Sequence, residues 1–460
     1  MDVHHPDRYA LERFSHGQAP AAEERWIEDH LRSGCAVCQP EVDLLLGLAL
    51  DPPSLGEPVP WDLEPDSAEL AREEAGWSRL FATLEQRLAL VAIERRDAPP
   101  LLAELLGYPP RERQVLARNS GRFQTLAVCE LLIERSFEEG FRDAGRSIEL
   151  AELGILLAGQ LDGERYGRSV VHDLEARAWA HLGNARRISF DLPGAEEALA
   201  RAERLAENGS ADPLEEARIL DLRASLLSDQ GHFEQAAELL DVVVDIYDDL
   251  REPHRKGRAM ISKGVFLGYA GWPEEAIRQI RKGLGLADWQ REPRLVLMAR
   301  HNLAWFLNDC GRSEEAQRHL QRFRHTYREF DDSWTELRLA WLSGRIATGL
   351  GRFEEAEEAF QELRRRFLDE ANGYDASLVT LDLANLYLQQ GRSVEVRELA
   401  EEMLEVFLSH DIHRQALAAL TVFQKAAELD HATPRLVQEI AAYLQRARRN
   451  PCLRFEPATA

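Results

Sequence analysis

The stretches "SDQGHFEQAAELL" (228–240), "GYAGWPEEAIRQI" (268–280), "NDCGRSEEAQRHL" (308–320), "TGLGRFEEAEEAF" (348–360) and "LQQGRSVEVRELA" (388–400) are one pattern written five times. Their glycines fall at Gly231, Gly271, Gly311, Gly351 and Gly391, a strict period of 40. Five residues after each comes a small or branched side chain: Ala236, Ala276, Ala316, Ala356 and Val396. Seven residues before each lies another small one: Ala224, Gly264, Ala304, Gly344 and Ala384. Chance does not hold three registers in step over five copies. The unit reads as helix–turn–helix, with the glycine in the left-handed conformation that ends the first helix. "EEA" or "EQA" then opens the second helix, where acids suit the N-terminal dipole. Two short amphipathic helices cannot bury their apolar faces alone, so neighbouring units must stack into a solenoid.

With a turn glycine between two small anchor positions, the pattern resembles the tetratricopeptide repeat family. That family repeats at about 34 residues; the period of 40 here implies longer helices. A degenerate copy, "RRISFDLPGAEEALARAERLA" (186–206), precedes the array with Ala198 in the anchor place, and a further copy is expected in 126–159. The last unit (416–449) has His431 at the next mark in place of glycine and reads as a C-terminal cap. The resemblance implies partner binding on the concave face lined by the first helices. Its groove positions map to Arg218 and Asp221, Arg258 and Tyr269, His301 and Trp305, Arg338, Trp341 and Arg345, then Asn385 and Gln389. Aromatic and arginine side chains are hot-spot material when exposed; Trp305 and Trp341 equally suit a core role stapling adjacent repeats. The chaperone-type carboxylate clamp is not matched, because Leu381 stands where that clamp has lysine.

Composition narrows the partners. The chain has 460 residues, 45% of them apolar, and a formal charge of −24. So acidic a chain is a poor general partner for phosphate backbones or anionic lipid. The basic runs "RRR" (364–366) and "RARR" (446–449) fall late in second helices, where they suit solvated faces and the C-terminal dipole. No apolar run reaches a membrane-spanning length; the greasiest, "VDLLLGLAL" (42–50), is short and carries Asp43. The N-terminus "MDVHHPDRYALERF" lacks the apolar region of a signal peptide. Five cysteines, three of them scattered, do not form a disulfide framework. A cytoplasmic protein is expected.

The other two cysteines stand in "HLRSGCAVC" (30–38). Around them, "DRYALERFSH", "PAAEERWIEDHL" and a segment from "CAVC" through "PEVDLLLGLAL" read as three short helices, the second opened by Pro20 and acids. His30 then closes helix two, and Cys35 and Cys38 share one face of the first turn of helix three. Imidazole with thiolates is a soft donor set that suits zinc, and structural zinc takes four protein ligands. His4, His5 and His16 are available to complete it. A thioredoxin-like redox pair and metal-free core cysteines are the competing readings. The arrangement resembles the zinc-binding anti-sigma factor family, whose motif is a distant His or Cys followed by His-x3-Cys-x2-Cys across a helix–helix corner. The resemblance implies His30, Cys35 and Cys38 as three ligands, and His5, 25 residues upstream of His30, as the first. Here four residues separate His30 from Cys35, with Gly34 the apparent insertion. In that family a fourth helix, for which 67–96 is the candidate, helps clasp a sigma factor.

No phosphate loop, nucleophile elbow or zinc-protease helix occurs. The expected architecture is all-α. A three- to four-helix zinc-binding domain occupies 1–50, a Pro-rich linker 51–66 and connecting helices 67–109. A right-handed solenoid of about seven to eight repeat-like helix pairs fills 110–450, and a tail 451–460. The expected function is a non-enzymatic regulator or scaffold whose partners are proteins, a sigma factor or a signalling or effector protein. The alternative is an adaptor of a protease- or defence-type complex in which the zinc module is structural; a zinc hydrolase is the third reading.

Overall fold

The computed structural model describes residues 5–6, 8–15, 19–32, 35, 37–38, 42, 67–140, 143–330, 332–370, 372–409, 414–429, 431–447 and 455. The linker expected at 51–66, most of the expected third helix, His4, His16 and nearly all of the tail lie outside them. Among the described residues every regular element is a helix. The chain divides into two compact units, Met1–Thr83 and Leu84–Ala460.

The first unit begins with α1 (Arg8–Ser15) and α2 (Ala21–Arg32). Among the described residues, Ala10, Leu11, Ile27, Cys38 and Val42 pack together as its core. The Arg13 guanidinium donates twice to the Glu23 carboxylate, at 3.2 and 2.7 Å, and ties α1 to α2. A long helix, α3 (Ser67–Gly107), contains the unit boundary and runs on past 96 through Pro99 and Pro100. Two missing N–H donors disfavour that continuation. It persists because Ala98, Leu102 and Leu105 are buried against the first solenoid layer, and tertiary packing outweighs the local cost.

The second unit continues with α4 (Pro110–Asn119) and then, among the described residues, stacks eight helix pairs. These are α5 (Leu126–Glu139) with α6 (Ala144–Ala158), then, after the single turn α7 (Gly163–Tyr166), α8 (Arg168–Ile188) with α9 (Leu192–Ala206). The regular repeats follow: α10 (Pro213–Asp229) with α11 (Phe233–Asp249), α12 (Pro253–Tyr269) with α13 (Pro273–Leu286), and α14 (Pro293–Asp309) with α15 (Ser313–Tyr327). Next come α16 (Ser333–Gly349) with α17 (Phe353–Asp369), α18 (Gly373–Gln389) with α19 (Ser393–Ser409), and α20 (Arg414–Glu428) with α21 (Pro434–Ala447). Most regular helices have 17 residues, as the long period requires.

The turns explain the pattern. All five repeat glycines have positive φ, from 70 to 92°. The residue after each donates its N–H five residues back: His232 to Leu227 at 2.8 Å, and Trp272, Arg312, Arg352 and Arg392 to their counterparts at 2.9 Å. This is the Schellman bond that satisfies a terminal helix carbonyl. His431 makes the same bond to Ala426 at 2.7 Å, so the last turn falls one residue before the 40-residue mark. In the degenerate copy Phe190 occupies the glycine place at φ 66°, exposed and strained. Phe190→Gly is therefore expected to stabilise the chain by about 1 kcal/mol, read as a raised denaturation midpoint; an unchanged or lower midpoint would contradict the strain.

The small registers are buried contacts. Ala236, Ala276, Ala316, Ala356 and Val396 are at most 1% exposed. A Cβ on Gly264 would lie 2.6 Å from Ile280 Cγ1, and one on Gly344 2.8 Å from the Phe360 ring. First helices of successive pairs also pack on each other, α8 on α10, α12 on α14, α14 on α16 and α16 on α18. Each regular second helix instead sits between two first helices. First helices thus form the inner wall of the array, where the groove positions fall.

Candidate metal centre and inner wall

The first unit brings His5, His30, Cys35 and Cys38 together: one donor atom from each lies within 4.8 Å of all the others. His5 Nδ1 stands 3.3 Å from His30 Nε2, 3.3 Å from Cys35 Sγ and 3.5 Å from Cys38 Sγ. Zinc bonds of about 2.0–2.3 Å in a tetrahedron put neighbouring donors roughly 3.3–3.8 Å apart. The donor set thus has both the chemistry and the spacing for zinc. Local structure holds each ligand. Buried Pro6 anchors the segment carrying His5. His30 stands in the last turn of α2, near the Trp26 ring. Cys38 is helical and 2% exposed, part of the small core. Cys35 precedes that helix rather than lying in its first turn. Its thiol pKa is lowered first by the Cys38 backbone N–H and next by that of Val37. The four-residue spacing after His30 thus does not prevent convergence.

On the inner wall the groove positions divide. His301 is 3% exposed, with Nδ1 3.1 Å from the Tyr327 hydroxyl. Trp341 is 2% exposed and donates from Nε1 to Asp382 at 2.6 Å. Trp305 meets Trp341 edge-on at 5.8 Å, and Arg345 lies 4.1 Å over the Trp305 ring while donating to Asp309 at 2.9 Å. These groups staple α14, α16 and α18; they are not displayed as an open surface. Arg338 lies over the exposed Trp334 ring at 5.0 Å. Tyr269 is exposed between Phe233 and Phe306. Asn385 is half-buried, its Oδ1 without a partner among the described residues. Arg258 pairs with Asp221 at 3.2 Å, stands 4.0 Å from Glu292, and faces the Phe137 ring of α5. The groove list did not include Phe137, His181, Arg177 or Arg255, which share that part of the wall.

Burial holds the His301 imidazole down to about 3, with Arg338 adding to it, and His181 likewise to about 3, with Arg177, Arg218 and Arg258 adding. A histidine whose pKa falls on folding binds its proton more readily when unfolded. Stability is therefore full above about 6.5, the ordinary histidine value, and is lost as pH drops toward 3. Each histidine is expected to contribute a slope of up to about 1.4 kcal/mol per pH unit. Denaturant midpoints at pH 7, 6 and 5 measure the slope; His181→Gln with His301→Gln must flatten it, and an unaltered slope would refute the assignment.

Comparison with known proteins agrees with this architecture. The tetratricopeptide repeat family model matches residues 297–322 and 377–402, which fall on the α14–α15 and α18–α19 pairs. A solved structure described as a Rap protein complexed with competence and sporulation factor is similar over 70% of this chain and 91% of its own, with a TM-score of 0.51 and 13% identity. At that identity the likeness shows the fold. No curated protein matches the chain. No helix among the described residues is long and apolar enough to cross a membrane. From Leu126 to Ala447 the chain is therefore an all-α solenoid of stacked helix pairs, with tetratricopeptide repeats among them.

Proposed function

We propose that this protein is a non-enzymatic, cytoplasmic regulator that joins a zinc-stapled, anti-sigma-like module to a protein-recognition solenoid. The observation that carries the reading is the convergence of His5, His30, Cys35 and Cys38, four donors that follow the anti-sigma motif apart from one extra residue between His30 and Cys35. Zinc there is structural: it cross-links the N-terminal segment, α2 and the start of the next helix, and presents their outer faces to a sigma factor or comparable regulatory protein. The solenoid offers a second protein-binding surface. The similar fold of a Rap protein solved in complex with competence and sporulation factor supports that role.

The experiment is affinity capture with the full chain and with a chain beginning at Leu84, the first residue of the solenoid unit. A partner that needs the first unit, and is lost with Cys35→Ser and Cys38→Ser, is the expected result. A partner held equally well by the Leu84 chain would make the zinc module a folding cap and sink the anti-sigma reading.

A further inference from the structure

The regular repeats do not all close against one another equally. Positions 40 apart are equivalent, so the junction of α15 with α16 can be set against its neighbours. Where α17 meets α18 the junction is closed: Phe367, Ala376 and Val379 are at most 4% exposed, and Leu368 packs on the same core. On α14 the equivalents of Ala376 and Val379 are Val296 and Ala299, also buried. Where α15 meets α16 these places carry Tyr327, Arg328, Glu336 and Leu339. There Tyr327 is buried, Leu339 is half-buried, and Arg328 and Glu336 are exposed. Helix α15 also ends at Tyr327, two residues short of the place equivalent to the end of α17. Five residues then lead to the next helix, against three after α17.

The result is an open cavity of about 500 Å³. Tyr327, Phe330 and Leu339 give it apolar walls, and Arg324, Arg328 and Glu336 give it charge. These charges are not balanced within the junction. Glu336 stands 3.7 Å from Arg366. Asp332 is taken by Arg294 at 2.7 Å and by the Thr335 hydroxyl at 3.0 Å. The charge of Glu329 acts on Arg300. In the next repeat the equivalent of Arg324 is Arg364, which reaches Glu402 at 2.5 Å. The acid that would serve Arg324 in the same way is Glu362, and Arg365 holds it at 2.7 Å. Arg324 and Arg328 are thus left without an ion-pair partner among the described residues.

We infer that this cavity binds a small apolar carboxylic acid, with Arg324 and Arg328 receiving the carboxylate and Tyr327, Phe330 and Leu339 covering the apolar body. Small-molecule sites are clefts of roughly 300–1,000 Å³ with mostly apolar walls and a few polar groups that fix orientation. Arginine presents a planar fork that matches a carboxylate. Two aromatic rings beside it suit a flat, unsaturated body. The site lies at a junction of helix pairs and depends on neither the zinc module nor a protein partner.

The test is isothermal titration calorimetry of the full chain with naphthoate, with naphthylmethanol for the same body without the charge, and with acetate for the charge without the body. Saturable binding of naphthoate is expected, with the alcohol at least about tenfold weaker, the effect of losing one charged hydrogen bond. Acetate should give no measurable heat. Arg324→Gln with Arg328→Gln should bring naphthoate down to the level of the alcohol and leave the alcohol itself unaffected. Both arginines are exposed, so the denaturation midpoint of that variant should not move. Leu339→Trp, which fills the cavity, should abolish binding of both aromatic probes. Arg318→Gln with Arg322→Gln, exposed on the same helix but outside the cavity, should leave naphthoate binding unchanged. Absent naphthoate binding, or naphthoate and alcohol bound equally, overturns the inference. So does full affinity in the Arg324 and Arg328 variant, or an equal loss in the Arg318 and Arg322 variant. Acetate bound as tightly as naphthoate would make the place a simple anion site and overturn the apolar acid.

Discussion

Serine at both Cys35 and Cys38 is expected to abolish zinc binding and unfold α1 and α2, while the solenoid keeps its own stability. The metal matters because the module's core among the described residues is five side chains, Ala10, Leu11, Ile27, Cys38 and Val42. Burying each contributes roughly 1.5–3 kcal/mol. Ordering the backbone costs about 1–2 kcal/mol per residue. Those five side chains by themselves do not offset that cost over more than thirty residues. Structural zinc supplies on the order of 10 kcal/mol in small domains. Metal analysis of purified full chain should show about one zinc per chain, the number a four-ligand site holds, falling to none in the double variant. Protease should then cut within the first unit and spare the unit from Leu84. Unchanged zinc content, or an unchanged cutting pattern after chelation, would remove the metal from this site.

Gly283→Ala is expected to be among the most destabilising single substitutions in the solenoid, and Gly285→Ala, two residues on, should be harmless. A Cβ on Gly283 would meet the Gly257 carbonyl oxygen at 2.6 Å and the Ile261 nitrogen at 3.0 Å. Conversely, one on Gly257 would meet the Gly283 oxygen at 2.7 Å and the Ala287 nitrogen at 2.9 Å. These are backbone atoms, which cannot rotate away, so α12 and α13 would have to separate along their whole contact. Overpacking of this kind costs about 1–3 kcal/mol and occasionally more. Nothing lies within 4 Å of a Cβ at Gly285. There alanine gains about 1 kcal/mol of helix propensity. Chemical denaturation of both variants is the measurement. In an array where pairs pack mainly on their neighbours, the Gly283 variant should also split the transition, because the two flanks lose coupling. Equal midpoints for the two variants would refute the crossing.

Most of the solenoid was legible from one dimension. The turn glycines needed positive φ and have it, and the small registers needed burial and have it. Both signals are local, set by one turn and one helix pair. The donors at His30, Cys35 and Cys38 were legible as a spacing, and His5 through the anti-sigma resemblance. Their convergence was not, because the extra residue before Cys35 could equally have turned its thiol away. The continuation of α3 through Pro99 and Pro100 was hidden as well, since it depends on the layer that buries Ala98 and Leu105.

By itself, then, the sequence determined the class, the repeat length, the ends of the regular helices and the identity of the candidate metal donors. The first three follow from periodicity and from backbone chemistry within a few residues, and the donors from the spacing of His30, Cys35 and Cys38 and the anti-sigma resemblance. Tertiary structure alone decided that Trp341 and His301 are inside the wall while Tyr269 is outside. It also decided that Phe137 and Arg258, three pairs apart, meet at 5.9 Å. The reason is cumulative. Each helix pair adds a small rotation set by how its side chains interlock with the next, and only the sum of those rotations says which residues face one another.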